Sequence, residues 1–196
     1  TSSRIDLYVI DVSTQKASRW NTSALNTVTG GYQWYDNNTL IYRAAPKPAS
    51  AAPAKPAAPA GPTVQENYGK ASPRPTFQDM IKNPYDEQLF AFYATTQLIK
   101  NTRGTETKIG QLAIYSTITP SPDKKYFLIR TLKKPFSYLV PSGRFPSEVV
   151  ITDPSGKPIH RLADLPSVET APSGNDNVQN EMRSFEWRND QPATIV

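Results

Sequence analysis

The 196-residue sequence predicts an all-β fold, and three observations carry that expectation. Thr, Tyr and Pro are abundant while helix-forming runs are few, a balance that favours strands and loops over a helical bundle. Apolar runs are short and bounded by turn residues. Tyr126 to Arg130 follows Ser121-Pro122-Asp123, and Pro154-Ser155-Gly156-Lys157 separates Glu148–Asp153 from Ile159–Leu162. Finally, three strings align without gaps: Trp34 to Leu40, Ser121 to Phe127, and Trp187 to Ala193. Each places Asp or Asn two residues after its first position, where an Asx-type turn needs a side chain that bonds its own backbone.

Taken in order, Ile5 to Val12 alternates in polarity and turns at Ser13 to Lys16, which predicts the outer hairpin of a sheet unit. The string at Trp34 begins the next unit. Residues 44–63 are low-complexity Pro and Ala, which cannot build a core and favour an extended, semi-rigid spacer. Residues 64–98 read as an insertion with short helices. Thr76 with Asp79 resembles a capping box, and Asn83-Pro84 followed by Asp86 and Glu87 marks a second helix start. Tyr85, Leu89, Phe92 and Tyr93 then fall at helical spacing, predicting one apolar stripe that packs on its own unit or on a further domain.

Residues 99–196 hold further strands. The stretch from Ser121 gives turn, strand, long loop, strand, turn and strand, the order of a β-propeller blade. The loop from Pro135 to Pro146 carries Phe136, Tyr138 and Phe145, too many aromatic rings for a simple solvated connection. The three aligned starts lie farther apart than the ~40–50 residues of ordinary propeller repeats. Insertions at 44–94, 133–146 and 167–181 account for the excess. The expected architecture is a partial β-propeller of about three blades or parts of blades, with a short helical insertion and a Pro/Ala-rich linker. In this reading 1–43 end one blade and start the next, and the chain stops inside a blade near Ala193 to Val196. A small complete β domain of three sheets is the other reading.

Residue types limit the chemistry. There is no cysteine, hence no disulfide framework and no thiolate ligand. The one histidine, His160, follows a hairpin on an outer strand, a place for a surface or packing residue. No G-x-S-x-G elbow occurs, no acidic cluster has metal-ligand spacing, and Gly30-Gly31 is isolated from any phosphate-loop pattern. The expectation is no catalytic residues, no metal and no cofactor within this chain. Net charge is +5, partly from Lys47 and Lys55 in the spacer. Lys124, Lys125, Lys133 and Lys134 lie near aromatic residues, but a buried strand interrupts them and acids are spread through the chain, which argues against nucleic acid. No apolar run approaches the ~20 residues that span a bilayer, so no membrane insertion is expected.

Several long strings resemble the propeller of the glutamyl endopeptidase branch of the prolyl oligopeptidase superfamily of serine peptidases. They are Val64 to Asn67, Thr76 to Leu98, Pro120 to Ile129, Lys134 to Pro141, Gly143 to Pro146, Leu162 to Pro166 and Arg183 to Thr194. The resemblance implies a non-catalytic propeller that caps an α/β-hydrolase domain of the same parent chain and gates access of peptide substrate. Peptidases of that branch occur in bacteria and in plant plastids, and with the chain's bulk composition the expected setting is bacterial, periplasmic or secreted. If the parent prefers a glutamyl side chain, a guanidinium must meet that carboxylate. Arg144 is the candidate, with Tyr138 as a phenolic donor at the same opening, and packing roles in their own loop are the competing reading. The alternative function is a stand-alone propeller-like module that binds a protein partner without enzymatic activity.

Overall fold

The computed structural model describes residues 4–46, 51–57, 77–169, 182 and 184–196. Nine strands form there: β1 (Tyr8–Asp11), β2 (Lys16–Arg19), β3 (Tyr32–Asp36), β4 (Thr39–Ala44), β5 (Thr96–Thr102), β6 (Thr105–Pro120), β7 (Phe127–Leu132), β8 (Ser147–Thr152) and β9 (Pro158–Leu165). One α-helix, α1 (Pro84–Ala94), lies between β4 and β5. The all-β class expected from the sequence is what the molecule has.

β1 and β2 form a hairpin, and β3 to β9 form one curled antiparallel sheet in chain order. The long strand β6 divides this sheet into two meanders. It pairs with β5 over Thr105–Ala113 and with β7 over Ile114–Pro120. Each half therefore completes a four-stranded unit: β3-β4-β5 with the first half, and the second half with β7-β8-β9. Two irregularities bend β6. Residues 110–112 bulge opposite Gln97, whose side-chain amide donates to the Ile109 carbonyl at 2.8 Å, and Gly110 takes φ +59° there. Ser116 bulges at the second, and Arg43 of β4 donates to the carbonyls of Tyr115 (3.1 Å) and Ser116 (3.0 Å). Such bulges turn a strand, and these side-chain donors keep its carbonyls from being left unpaired.

The three aligned turn strings occupy equivalent places. The first spans the β3–β4 turn, where Asn38 N donates to Asp36 Oδ1 at 2.8 Å. The second spans the β6–β7 turn, where Asp123 Oδ1 accepts from Ser121 Oγ (2.6 Å) and Lys125 N (3.1 Å). The third returns on itself, bridging Trp187 to Ile195. Successive turns touch: Tyr35 Oη donates to the Lys124 carbonyl at 2.5 Å, and Asp123 N donates to the Pro192 carbonyl at 3.1 Å.

Apolar side chains pack both faces of the second unit. Phe127 and Ile129 join Tyr35, Ile41, Leu98, Ile109, Tyr115 and Ile118 between the units. Leu128, one residue out of phase, faces the other way into a cluster with Val149, Ala163 and Trp187. A strand buried on both faces reads as a continuous apolar run, which is how β7 looked in sequence. Full burial of a side chain such as Phe127 contributes about 2–3 kcal/mol.

The helix starts where Asn83-Pro84 predicts. The Asn83 side chain accepts from Asp86 N at 2.9 Å, and Pro84 opens the first turn. Its packing face differs from the expected Tyr85, Leu89, Phe92 and Tyr93. Phe90, Ala91 and Ala94 dock on Phe136, Val140 and Phe145, while Tyr93 is half exposed. Four apolar residues at helical spacing mark a stripe, but α1 is apolar on more than one side, and its partner loop selects the face. Of the other expected helix start, Thr76 lies outside the described residues, and 77–83 form bends rather than helix.

Candidate functional site

The loop joining β7 to β8 builds the site. Ser142–Arg144 form one 3-10 turn, in which Arg144 N donates to the Pro141 carbonyl (2.8 Å) and Phe145 N to the Ser142 carbonyl (3.1 Å). Phe136 and Phe145 stack at 5.3 Å, and Phe90 of α1 meets both edge-on at 4.9 and 5.6 Å. Edge-to-face rings add about 0.5–1.5 kcal/mol per pair beyond burial, so the loop is anchored on the helix. Both the α1 insertion and this loop join the second and third strands of their units, which places them at one end of the sheet, packed together.

A cleft of ≈ 330 Å³ opens beside that loop. Arg130 and Arg144 both line it, with Leu128, Val149, Leu165 and Val168 among its apolar walls. Arg130, near the end of β7, donates from Nε to Ser147 Oγ at 2.9 Å, and Ser147 is fully buried. This bond fixes the guanidinium plane, and burial pulls its pKa down from the ordinary value. The Arg144 carbonyl accepts from Val168 N at 3.0 Å, tying the segment that follows β9 to the loop. The Arg144 guanidinium sits 5.4 Å from the Phe77 ring centroid.

Neither arginine is ion-paired with a carboxylate among the described residues. Two acids on the adjoining strands are engaged elsewhere. Glu148 pairs with Arg161 at 2.7 Å, and Asp164 pairs with Lys133 and Arg161. Arg130 and Arg144 thus both line one cleft beside an apolar wall, while the Arg144 guanidinium lies over the Phe77 ring.

Of the two residues singled out in sequence, Arg144 lines this cleft and Tyr138 does not. The Tyr138 hydroxyl donates to Glu87 Oε2 of α1 at 3.1 Å, and Lys134 approaches Glu87 Oε1 at 3.6 Å. Burial and then the Glu87 carboxylate raise the Tyr138 pKa, keeping the phenol a neutral donor. Arg130 escaped sequence reasoning because it closes the apolar string Tyr126 to Arg130. A charged residue inside an otherwise buried strand was the signal available. His160 is exposed on β9 opposite Ile151.

No protein-family model matches the chain, and no solved structure matches it. Among curated proteins it is similar to two plant proteins. Over 200 residues, all of this chain, it is 38% identical to a probable glutamyl endopeptidase, chloroplastic, of Oryza sativa subsp. japonica. Over 199 residues it is 37% identical to the protein of the same name in Arabidopsis thaliana. The chain spans 21% of the length of each of these relatives. It is therefore a peptidase-related β region. Both relatives are plant proteins named as chloroplastic, which gives the expectation of a bacterial origin no support. No helix among the described residues is long and apolar enough to cross a membrane.

Proposed function

We propose that this chain is a non-catalytic, propeller-like portion of a serine peptidase resembling the glutamyl endopeptidases, and that it caps an α/β-hydrolase domain and gates peptide access. One observation carries the reading. Identity of 38% runs through the whole chain, yet the chain matches only 21% of a protein named as a peptidase. A β region matched in this way is consistent with a non-catalytic part of a larger peptidase-like polypeptide. Supporting it, the described residues are built of consecutive four-stranded units whose turns touch one another, an arrangement that repeats around an axis in propellers.

The gate in this reading is the knob formed by α1 and the Pro135–Pro146 loop, rigidified by three phenylalanine rings. Arg144 faces the substrate's acidic side chain, and Tyr138 steadies the knob through Glu87. The test uses the complete polypeptide. It should cleave short peptides faster than folded proteins, and Arg144→Ala should narrow its preference for Glu over Gln at the cleaved bond. Absence of peptidase activity from the complete polypeptide would discard the reading in favour of a binding module.

A further inference from the structure

We infer that Tyr32 and Trp34, on the edge strand β3, dock on a further four-stranded unit of which β1 and β2 are one half. The other two strands come from polypeptide beyond residues 1–196. The inference deepens the proposed function and rests on it only for the source of those strands. Trp34, Ser121 and Trp187 are the first positions of the three aligned strings. Trp187 is 7% exposed, packed on Leu128, Val149 and Ala163 of the unit before it. Its indole Nε1 donates to the Thr119 carbonyl at 2.9 Å. Ser121 is fully buried. Trp34, in contrast, is 51% exposed, and its indole N–H has no acceptor among the described residues. The same position is closed twice and open once.

What lies before Trp34 is half a unit. Among the described residues β1 and β2 pair only with each other, over four residue pairs. Tyr8 and Ile10 lie two apart on β1, hence on one face, and both are exposed. Every residue of β2 is exposed as well. Two strands alone are marginal in water, whereas three or more with an apolar face are stable. Both complete units run in chain order, so the third strand adds to the free edge of β1. The segment after β2 already lies on the first unit: Leu25 packs on Tyr42, Ala44 and Ile99, and Trp20 meets Trp34 edge-on at 5.9 Å. That cover stops short of Tyr32, which shares a face with Trp34 and is 59% exposed. Two strands beside β1 extend it over both rings and bring a backbone carbonyl to the Trp34 indole, as Thr119 does for Trp187. The chain spans 21% of the length of its relatives, so two strands of about five residues each fit easily within the remainder.

The experiment uses the complete polypeptide and needs no variant. Hydroxyl-radical footprinting read by mass spectrometry compares Trp34 with Trp187, two side chains of one intrinsic reactivity. Trp34 should oxidise within about threefold of the Trp187 rate. A larger ratio, which exposures of 51% and 7% would give, overturns the inference. Hydrogen exchange resolved to single amides over 8–11 then identifies the cover, because a paired third strand protects the β1 amides that point away from β2. Protection of those amides is the expected result. Fast exchange there beside a protected Trp34 would assign the cover to another domain packing on side chains. Trp34 protection that falls on dilution would assign it to a second copy. Either result overturns the inference. Peptidase activity is measured separately. Cleavage with an exposed Trp34 sinks this docking face alone, and a protected Trp34 in a polypeptide without cleavage sinks the peptidase assignment alone.

Discussion

Gly110 and Gly156 meet backbone to backbone across the two sheet units. The Gly110 amide donates to the Ser155 carbonyl at 2.8 Å, and a Cβ on Gly156 would lie 2.3 Å from the Gly110 nitrogen. The β8–β9 turn thus seats directly in the bulge of β6. Asp153 shapes that turn by accepting from Ser155 N (2.8 Å) and Lys157 N (3.0 Å).

Replacing Gly156 by Ala therefore combines two costs. Its φ of +87° is strained for any residue with a Cβ, and the Cβ has no space. Strain of about 1–2 kcal/mol and overpacking of about 1–3 kcal/mol predict a loss of roughly 2–5 kcal/mol. Gly110→Ala, at φ +59°, should cost less, since its Cβ would come no nearer than 3.2 Å to the Tyr115 hydroxyl and 3.6 Å to the Gly156 carbonyl oxygen. Urea midpoints of both variants test the order, and a Gly156→Ala midpoint equal to wild type would refute the contact.

Glu106 predicts an acid-dependent loss of stability. Its carboxylate accepts from Thr22 N (2.5 Å) and Oγ1 (2.6 Å), Ser23 N (3.1 Å) and Oγ (2.8 Å), and Tyr42 Oη (2.5 Å). Burial alone would raise its pKa, but these donors outweigh it and bring the group from an ordinary 4.5 down to about 2. A depressed folded-state pKa means the stabilisation is present above the unfolded value and lost as pH falls through that interval. Solvent screening at this half-buried site reduces the full linkage value to about 2 kcal/mol. Glu106→Gln should flatten the stability profile between pH 4.5 and 2, measured by denaturation at stepped pH. Parallel wild-type and variant profiles would count against the latch.

Arg43 braces the second bend of β6 by reaching two consecutive carbonyls. Arg43→Ala leaves both without this donor and should cost about 2–4 kcal/mol. Arg43→Lys preserves the charge but supplies a point cation rather than a fork, so it should recover only part of that loss. Hydrogen exchange along 114–120 reads the effect locally. Protection there unchanged in Arg43→Ala would rule out the brace.

Phe90→Ala should release the helix more than the sheet. The ring touches Phe136 and Phe145, and its removal is expected to cost about 3–5 kcal/mol of packing at the helix–loop contact. Tyr138→Phe deletes one hydrogen bond to Glu87 and should cost about 1 kcal/mol. Limited proteolysis within 84–94 and 133–146 should accelerate in Phe90→Ala and change little in Tyr138→Phe. The reverse order would show that the polar contact anchors the loop.

What the sequence determined by itself was local. The turns at Asp36 and Asp123 and the Asn83 cap are closed by side chains bonding backbone two or three residues away, so the information sits within a few positions. The cores of β7 and β8 were legible for a related reason, since continuous burial leaves an apolar run bounded by turns. Tertiary structure alone decided the rest. Strand β6 belongs to two units because Gly110 and Ser116 bulge against partners on other strands, and neither bulge has a neighbour that announces it. The packing face of α1 was chosen by Phe136 and Phe145, some 45–55 positions onward. Arg144 was visible as a cation in an aromatic loop, whereas Arg130 became notable only when Ser147 oriented it and folding placed both residues on one cleft. Hydrogen bonds to the chain's own next residues form in any context, but a cavity exists only after separate elements have packed.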